Sequence, residues 1–417
     1  MAGRDVIVVG GGAAGMFAAL TAAEHGCRVR LLEKNPVLGK KLGITGKGRC
    51  NVTNDCTAQE VLENIPRNPK FLYSAMRSFP PEKTKEFFIS HGCPLKTERG
   101  QRVFPESNEA QSIVKTLKTA LRRAGVRVEQ AEVTELLLHD GLCCGVKVGT
   151  RERKADAVIL ATGGCSYPLT GSTGDGYRMA AQAGHTILPP RGSLVPLEED
   201  GHMCAMAQGL SLRNVQLRLL GPKSKLVYSD FGELLFTHFG LSGPLVLSAS
   251  AHMKPEERYR LFIDLKPALD EATLDARLLR DFEKYKNRNF ENALCDLYPA
   301  KLIPVMIARS GIDPAQKVNT ITRAQRRRLC EITKNFEIAI RGMRPVEEAI
   351  ITAGGVRTAE IDPATMESKC APGLFLAGEL IDCDAYTGGF NLQIAWATGY
   401  AAGCGVAQKL GKERNAQ

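Results

Sequence analysis

Three glycines near the start of the chain are spaced as a phosphate-binding turn requires. Gly10, Gly12 and Gly15 follow the apolar run Asp5 to Val9 in the pattern G-x-G-x-x-G. The pattern is weak alone, but here it sits in the order strand, glycine turn, helix, strand, acid, which is the dinucleotide-binding arrangement. Gly10 permits the tight turn, Gly12 lets backbone approach a pyrophosphate, and Gly15 lets the helix lie close on the strand. The helix start at Ala13 and Ala14 offers free N–H groups and a positive dipole end to phosphate. A second strand, Arg28 to Leu32, runs into Glu33. A carboxylate there accepts hydrogen bonds from an adenosine ribose. The competing reading is a glycine turn with no ligand.

Two later segments narrow the dinucleotide to FAD. Pro372 to Glu379 reads as a strand ending in Gly378-Glu379, and Thr387 to Gly399 opens a helix with glycines at its start, where Gly389, Asn391 and Leu392 are expected to contact the cofactor. Such a return places an acid near the ribityl chain and a helix N-terminus at the flavin, where it favours negative charge on the reduced ring. Ala157 to Gly164, with Thr162 and Gly163 in its turn, reads as a third cofactor-contacting element, and Val133 is expected beside it. The stretch from Lys34 to Asn54 carries Lys34, Lys40, Lys41, Lys47 and Arg49, ends near Asn51, and holds no acid. It is either a solvated basic loop or a neutraliser of FAD and incoming phosphates.

Proton donors are fewer. Cys50, beside Arg49, has a thiol that would hand a proton to a substrate at the flavin. Tyr386, just before the flavin-facing helix, is a second candidate acid, and His238 is a third. Each has a structural reading as well. Cys50 and Cys56 are separated by five residues, not the four of flavin-linked disulfide reductases. A single G-x-G-x-x-G leaves no second fold for a resident nicotinamide. NADH or NADPH would therefore bind transiently, or the substrate itself would reduce FAD.

The elements that must position these residues come from 417 residues, about three domains' worth of chain. With 44% hydrophobic and 24% charged residues, collagen, coiled coil and disorder are excluded. No stretch approaches a membrane span or a signal peptide, so a cytoplasmic protein is expected. The thirteen cysteines are scattered and odd in number, with no C-x-x-C. Neither a disulfide framework nor a metal site is expected. The fold class read from this order is α/β. A discontinuous Rossmann-like FAD domain spans 1–190 and 345–417, with a β-rich barrel-like insert over 191–266 and a helical insert over 267–344. Lys409 to Gln417 is polar and expected to fray.

Lys plus Arg exceed Asp plus Glu by 55 − 45 = 10, and such a surface attracts phosphates. Residues 254–334 hold seventeen basic and twelve acidic side chains, a net of +5. Arg323, Arg326, Arg327 and Arg328 form the densest run, either a solvated face or a nucleic-acid contact.

The chain resembles the BaiN/RdsA family of flavoproteins, also labelled YhiN type or aminoacetone oxidase. The resemblance is carried by Val8–Gly15, Gly39–Asn54, Gly232–Pro244, Thr352–Val356 and Gly378–Gln393. One departure is Lys47, where the family commonly has glycine. The resemblance implies a two-dinucleotide-binding-type FAD domain with a small barrel and a helical insert. It also implies hydride chemistry on an activated C=C bond, in one branch on uridine of large-subunit ribosomal RNA, in another on bile acids. The expected activity is NAD(P)H-fuelled reduction, with rRNA as first substrate, a small hydrophobic enone as second and an amine or aminoketone oxidation as third. A flavin-bound RNA-binding or assembly factor is the non-enzymatic reading.

Overall fold

A computed structural model describes residues 4–415. Asp5–Val9 is apolar at every position after its first, the pattern of a strand buried on both faces. It lies at the centre of a five-stranded parallel sheet in the order Leu374–Leu376, Ala157–Leu160, Asp5–Val9, Arg28–Glu33, Arg127–Gln130. The strands Ala157–Leu160 and Leu374–Leu376 are buried at every residue. An antiparallel meander, Val133–His139, Leu142–Val148 and Arg151–Lys154, leads into Ala157–Leu160.

The opening helix, Ala13–Glu24, is buried from Ala14 to Ala22 because the last helix, Phe390–Asn415, packs directly on it. A side chain at Gly399 would come within 2.6 Å of the Ala14 carbonyl oxygen, so the two backbones approach only because that position is bare. Aromatic rings lock this layer. Phe17 meets Trp396 at 5.6 Å and Phe79 at 4.9 Å between ring centroids. The last helix continues past Lys409, whose Nζ reaches Glu367 Oε1 at 2.5 Å. Ala416 and Gln417 lie outside the described residues.

The chain leaves this unit after Ser193 and returns at Val346. The second unit has its own core. Its six antiparallel strands close into a barrel in the order Leu197–Glu199, Gly240–Ser242, Leu226–Phe236, Ser211–Leu220, Arg260–Asp264, Phe336–Met343. The helices Glu271–Lys284, Ile303–Ser310 and Arg323–Lys334 lie between the last two strands in sequence. Two boundaries differ from the sequence reading. Phe336–Met343 lies inside the range read as helical but closes the barrel, burying Phe336 and Ile338 at alternate positions, and closure removes a free sheet edge. Residues 191–193 belong to the strand Ile187–Ser193, which pairs with Ile351–Val356 in the first unit. Among the described residues, no helix is long and apolar enough to cross a membrane.

Candidate functional site

Each of the three opening glycines has its own physical reason. Gly10 has φ +103°, and a Cβ on it would sit 2.5 Å from the Ala161 carbonyl oxygen. A Cβ on Gly15 would sit 1.8 Å from the Gly10 carbonyl oxygen, so helix and strand touch through backbone. Gly12 is the opposite case: its missing side chain would meet nothing within 4 Å. It precedes a helix with no side-chain cap and no acid in its first turn. Bare N–H groups facing open space are what a pyrophosphate requires. Glu33 holds the turn from the next strand. Its Oε2 accepts from the Gly11 N–H at 2.6 Å, and its Oε1 from the Asn35 N–H at 2.7 Å.

Among the buried polar atoms of this unit without a hydrogen-bond partner are Asn51 Oδ1, Thr162 Oγ1 and the Tyr177 hydroxyl. Each such atom costs about 1–3 kcal/mol unless something binds it. Thr162 follows the buried strand Ala157–Leu160, and Gly176, beside Tyr177, lies so close that a Cβ there would meet Thr162 Oγ1 at 1.9 Å. Burial pushes the Tyr177 hydroxyl well above its ordinary range, so it stays a neutral donor. The open cradle at Gly12 and these orphaned atoms fit a dinucleotide such as FAD.

The C-terminal side is a closed network. Glu379 Oε2 accepts from Lys41 Nζ at 2.7 Å, and its Oε1 accepts from Ser166 Oγ and the Thr352 N–H, each at 2.9 Å. Lys41 Nζ also donates to Ser166 Oγ at 2.7 Å, and Thr352 Oγ1 accepts from the N–H groups of Cys165 and Ser166. Gly378 turns the chain here with φ +76°. The following loop is pinned as firmly. Asn391 accepts from the Ala385 N–H at 2.8 Å and donates to its carbonyl at 2.7 Å. Gln393 is buried between Thr53, Thr84 and the Phe79 carbonyl. Asp384 is buried between Arg67 and Ser193. Gly389 lies against the backbone of Thr53. Leu392 packs on the core, and Tyr386 is half-buried with its N–H donating to the Asn64 carbonyl at 3.0 Å.

The remaining predicted residues are placed less centrally. Lys34 Nζ donates to Thr173 Oγ1 at 2.6 Å and to Asp175 at 2.5 Å. Lys40 is exposed, 3.5 Å from Asn35 Oδ1. Arg49 is bound by Glu98 and Asn108 and lies 4.2 Å over the Phe104 ring. Val133 is buried at the start of the meander. Gly163 turns with φ +76°. His238 is exposed in the second unit, edge-on to Phe239. Cys50 does not fit the role of proton donor. It is fully buried, and burial pushes its thiol up to about 12. It has no open face toward a substrate. Arg326 is held by Asp275 with its side chain 13% exposed, whereas Arg323, Arg327 and Arg328 are exposed.

Sequence reasoning gave no distinct role to Lys41, Ser166, Thr352 or Tyr177. For Lys41 the available signal was its place in the Gly39-Lys-Lys-Leu turn. The scattered-ligand argument also missed a group in the first unit. His185, Glu360 and Cys370 bring ligand-type atoms within 4.8 Å of one another. Ser368 Oγ accepts from two backbone N–H groups and lies 2.7 Å from His185 Nε2. Its hydroxyl hydrogen is thus free for Nε2, which leaves the imidazole proton on Nδ1, facing Glu360 Oε2 at 3.3 Å. This hydrogen-bond chain accounts for His185 and Glu360, and Cys370 joins it through its backbone N–H.

Comparison with known proteins agrees with this frame. Residues 4–405 match the family described as HI0933-like protein Rossmann domain. A 3-dehydro-bile acid delta(4,6)-reductase from Clostridium scindens is 33% identical over 408 residues, covering 96% of this chain and 98% of that protein. A ribosomal RNA dihydrouridine synthase from Haemophilus influenzae is 29% identical over 411 residues, covering 97% of this chain and 98% of that protein. The crystal structure of 3-ketosteroid delta1-dehydrogenase from Sterolibacterium denitrificans aligns with TM-score 0.52 at 13% identity, over 97% of this chain and 100% of that one. It shares the fold. The chain belongs to the HI0933-like Rossmann family, as its motifs implied, and is an FAD-dependent oxidoreductase.

Proposed function

We propose that the protein reduces a carbon–carbon double bond conjugated to a carbonyl, with NADH or NADPH as transient hydride donor and a uridine of large-subunit ribosomal RNA as substrate. The observation that carries the bond chemistry is that two kinds of near-full-length relative are named for it on different molecules, one for dihydrouridine formation, one for delta(4,6) reduction. Charge favours RNA. The net charge is +10, and exposed cations include Lys115, Lys118 and Arg122 as well as Arg323 and Arg327. A polyanion uses such cations and a steroid nucleus does not.

FAD, when bound, supplies the hydride chemistry. The chain's own groups hold and orient. The bare start of the opening helix would hold the pyrophosphate, and Glu33 would lie toward the ribose end. Lys41, Glu379 and Ser166 hold one another in a hydrogen-bonded network at the C-terminal side of the site. Tyr386 Oη is the proposed proton donor to the second carbon, since its loop is pinned by Asn391 and Asn64. Cys50 takes no part.

The test is anaerobic bleaching of the flavin with NADH or NADPH, followed by unmodified ribosomal RNA. The expected result is bleaching, then recovery of the yellow colour with dihydrouridine formed. One observation favours a second reading, an enone of the bile-acid type: the relative bearing that name is 33% identical. Bleached flavin that recovers with a steroid enone and not with RNA selects it. Flavin that neither nicotinamide bleaches rejects the reductase proposal. Oxygen uptake with an amine would then mark an oxidase.

A further inference from the structure

Between Glu109 and Glu129 the chain carries no acid and five bases: Lys115, Lys118, Arg122, Arg123 and Arg127. Most of this stretch is the helix Ala110–Arg123, whose other face buries Ile113, Val114, Leu117 and Leu121 in the core of the FAD unit. Gln111, Lys115, Lys118 and Arg122 are all exposed and stand at i, i+4, i+7 and i+11, so they form one straight stripe. With Val114 and Thr119 they form an open patch on this one helix.

Several cations of this protein are neutralised by carboxylates, as Arg28 is by Asp5, Arg326 by Asp275 and Arg341 by Glu198. Among the described residues no carboxylate pairs with Lys115, Lys118 or Arg122. The helix dipole accounts for Arg122 and Arg123 in the last turn, but not for Lys115 and Lys118 in the middle.

The stripe begins at the edge of the site. A Cβ on Gly43 would lie 2.8 Å from Gln111 Nε2, and one on Gly39 would lie 3.1 Å from Val114. Those glycines belong to the loop that sends Lys41 to Glu379 and carries the exposed Lys40 and Lys47. From Lys115 to Arg122 is seven residues, roughly 10 Å of helix, over which a nucleic-acid strand presents about three phosphates.

We propose that Gln111, Lys115, Lys118 and Arg122 bind the sugar–phosphate backbone of the RNA that delivers its base to the flavin. The inference rests on the RNA reading above and moves the main contact from the helical insert to the FAD unit. A lipid surface fits less well, because the stripe itself holds no exposed aromatic or aliphatic anchor.

The test uses the FAD-loaded full chain and a labelled, unmodified large-subunit ribosomal RNA transcript. The Lys115→Gln, Lys118→Gln, Arg122→Gln triple variant is compared with the Arg323→Gln, Arg327→Gln, Arg328→Gln triple variant. Loss of three contacts flattens the dependence of log K on log salt by about 2 to 3, at roughly 0.7–0.9 per contact. That change is expected in the first variant and not in the second, with the flavin spectrum retained in both as the folding control. An unchanged slope in the first variant, while the parent binds RNA, overturns the stripe and leaves the RNA reading standing. So does stripe-dependent binding to phosphatidylglycerol vesicles with the RNA slope unchanged. A parent protein that binds no RNA overturns the RNA reading itself.

Discussion

Lys41→Met probes whether Lys41 and Glu379 act as one unit. Lys41 Nζ lies 2.7 Å from Glu379 Oε2, and the two side chains are 21% and 13% exposed. Removing one partner of a fully buried pair costs about 3–5 kcal/mol, because the other charge is left bare. Here water reaches part of Lys41, and Glu379 keeps Ser166 Oγ and the Thr352 N–H at 2.9 Å each. Screening and these residual hydrogen bonds reduce the expected loss to about 2 kcal/mol. Glu379→Gln discharges the partner instead. In the double variant no charge is stranded, so the two losses fail to add by about 1 kcal/mol. Urea unfolding of flavin-free protein, followed by tryptophan fluorescence, reads this directly. Trp396 is the chain's single tryptophan. It is fully buried, with its indole N–H donating to the Val52 carbonyl at 2.9 Å, and it lies in the same unit as the pair. A Lys41→Met protein that unfolds within about 0.5 kcal/mol of its parent, or energies that simply add, would refute the coupling.

Gly12→Ala and Gly15→Ala should separate binding from folding. The first methyl meets nothing within 4 Å and the second meets the Gly10 carbonyl oxygen at 1.8 Å. Gly12→Ala is expected to leave flavin-free stability nearly unchanged and weaken FAD binding, while Gly15→Ala loses both; equal stability of the two variants contradicts the geometry. His185 should make the first unit acid-sensitive. Burial holds its imidazole below the ordinary 6.5, against the pull of Glu360. Its stabilising contribution is therefore complete above that value and is lost as pH falls through 6.5, because the unfolded chain takes up the proton first. The Trp396 unfolding midpoint should drop between pH 7 and 5.5, and His185→Asn should remove the drop; a midpoint as steep in the variant assigns it elsewhere. Cys50, with its thiol at about 12, should resist maleimide at pH 8 in folded protein, while the exposed Cys295 and Cys370 react. Turnover should survive Cys50→Ala, and an inactive but flavin-loaded variant would return Cys50 to the mechanism.

The glycine turn was legible because its requirements are local. A tight turn, a bare approach and a helix–strand contact each need glycine at one fixed offset. The barrel's closing strand was hidden for the opposite reason. Phe336–Met343 pairs with Leu197–Glu199 and Arg260–Asp264 across the helices between them, and its period-two burial is short enough to pass for part of a helical stretch. Cys50 was misread through its neighbour. Arg49 turns out to Glu98 and Asn108 while Cys50, at φ +59°, turns into the core, so adjacency in sequence carried no shared environment. Arg326 could have been separated from its neighbours by periodicity alone. It precedes the buried Leu329, Cys330 and Thr333 on one helical face, and a cation on that line meets the core's edge, where Asp275 holds it.

The same logic bears on substrate choice. The glycine cradle, Glu33 and the Lys41–Glu379–Ser166 network sit inside one unit and serve any flavin-dependent reduction. They do not discriminate a uracil ring from a steroid enone, since both present a C=C bond beside a carbonyl. Discrimination must come from what the rest of the substrate meets, and a nucleic acid differs from a steroid chiefly in its row of phosphates. Cations already satisfied by carboxylates, such as Arg49 and Arg326, would have to break a pair before meeting a phosphate. Lys115, Lys118 and Arg122 would not. The +10 net charge therefore matters less than which cations are left unpaired beside the flavin loop, and removing those three is the perturbation that should change substrate preference without touching the flavin's own contacts.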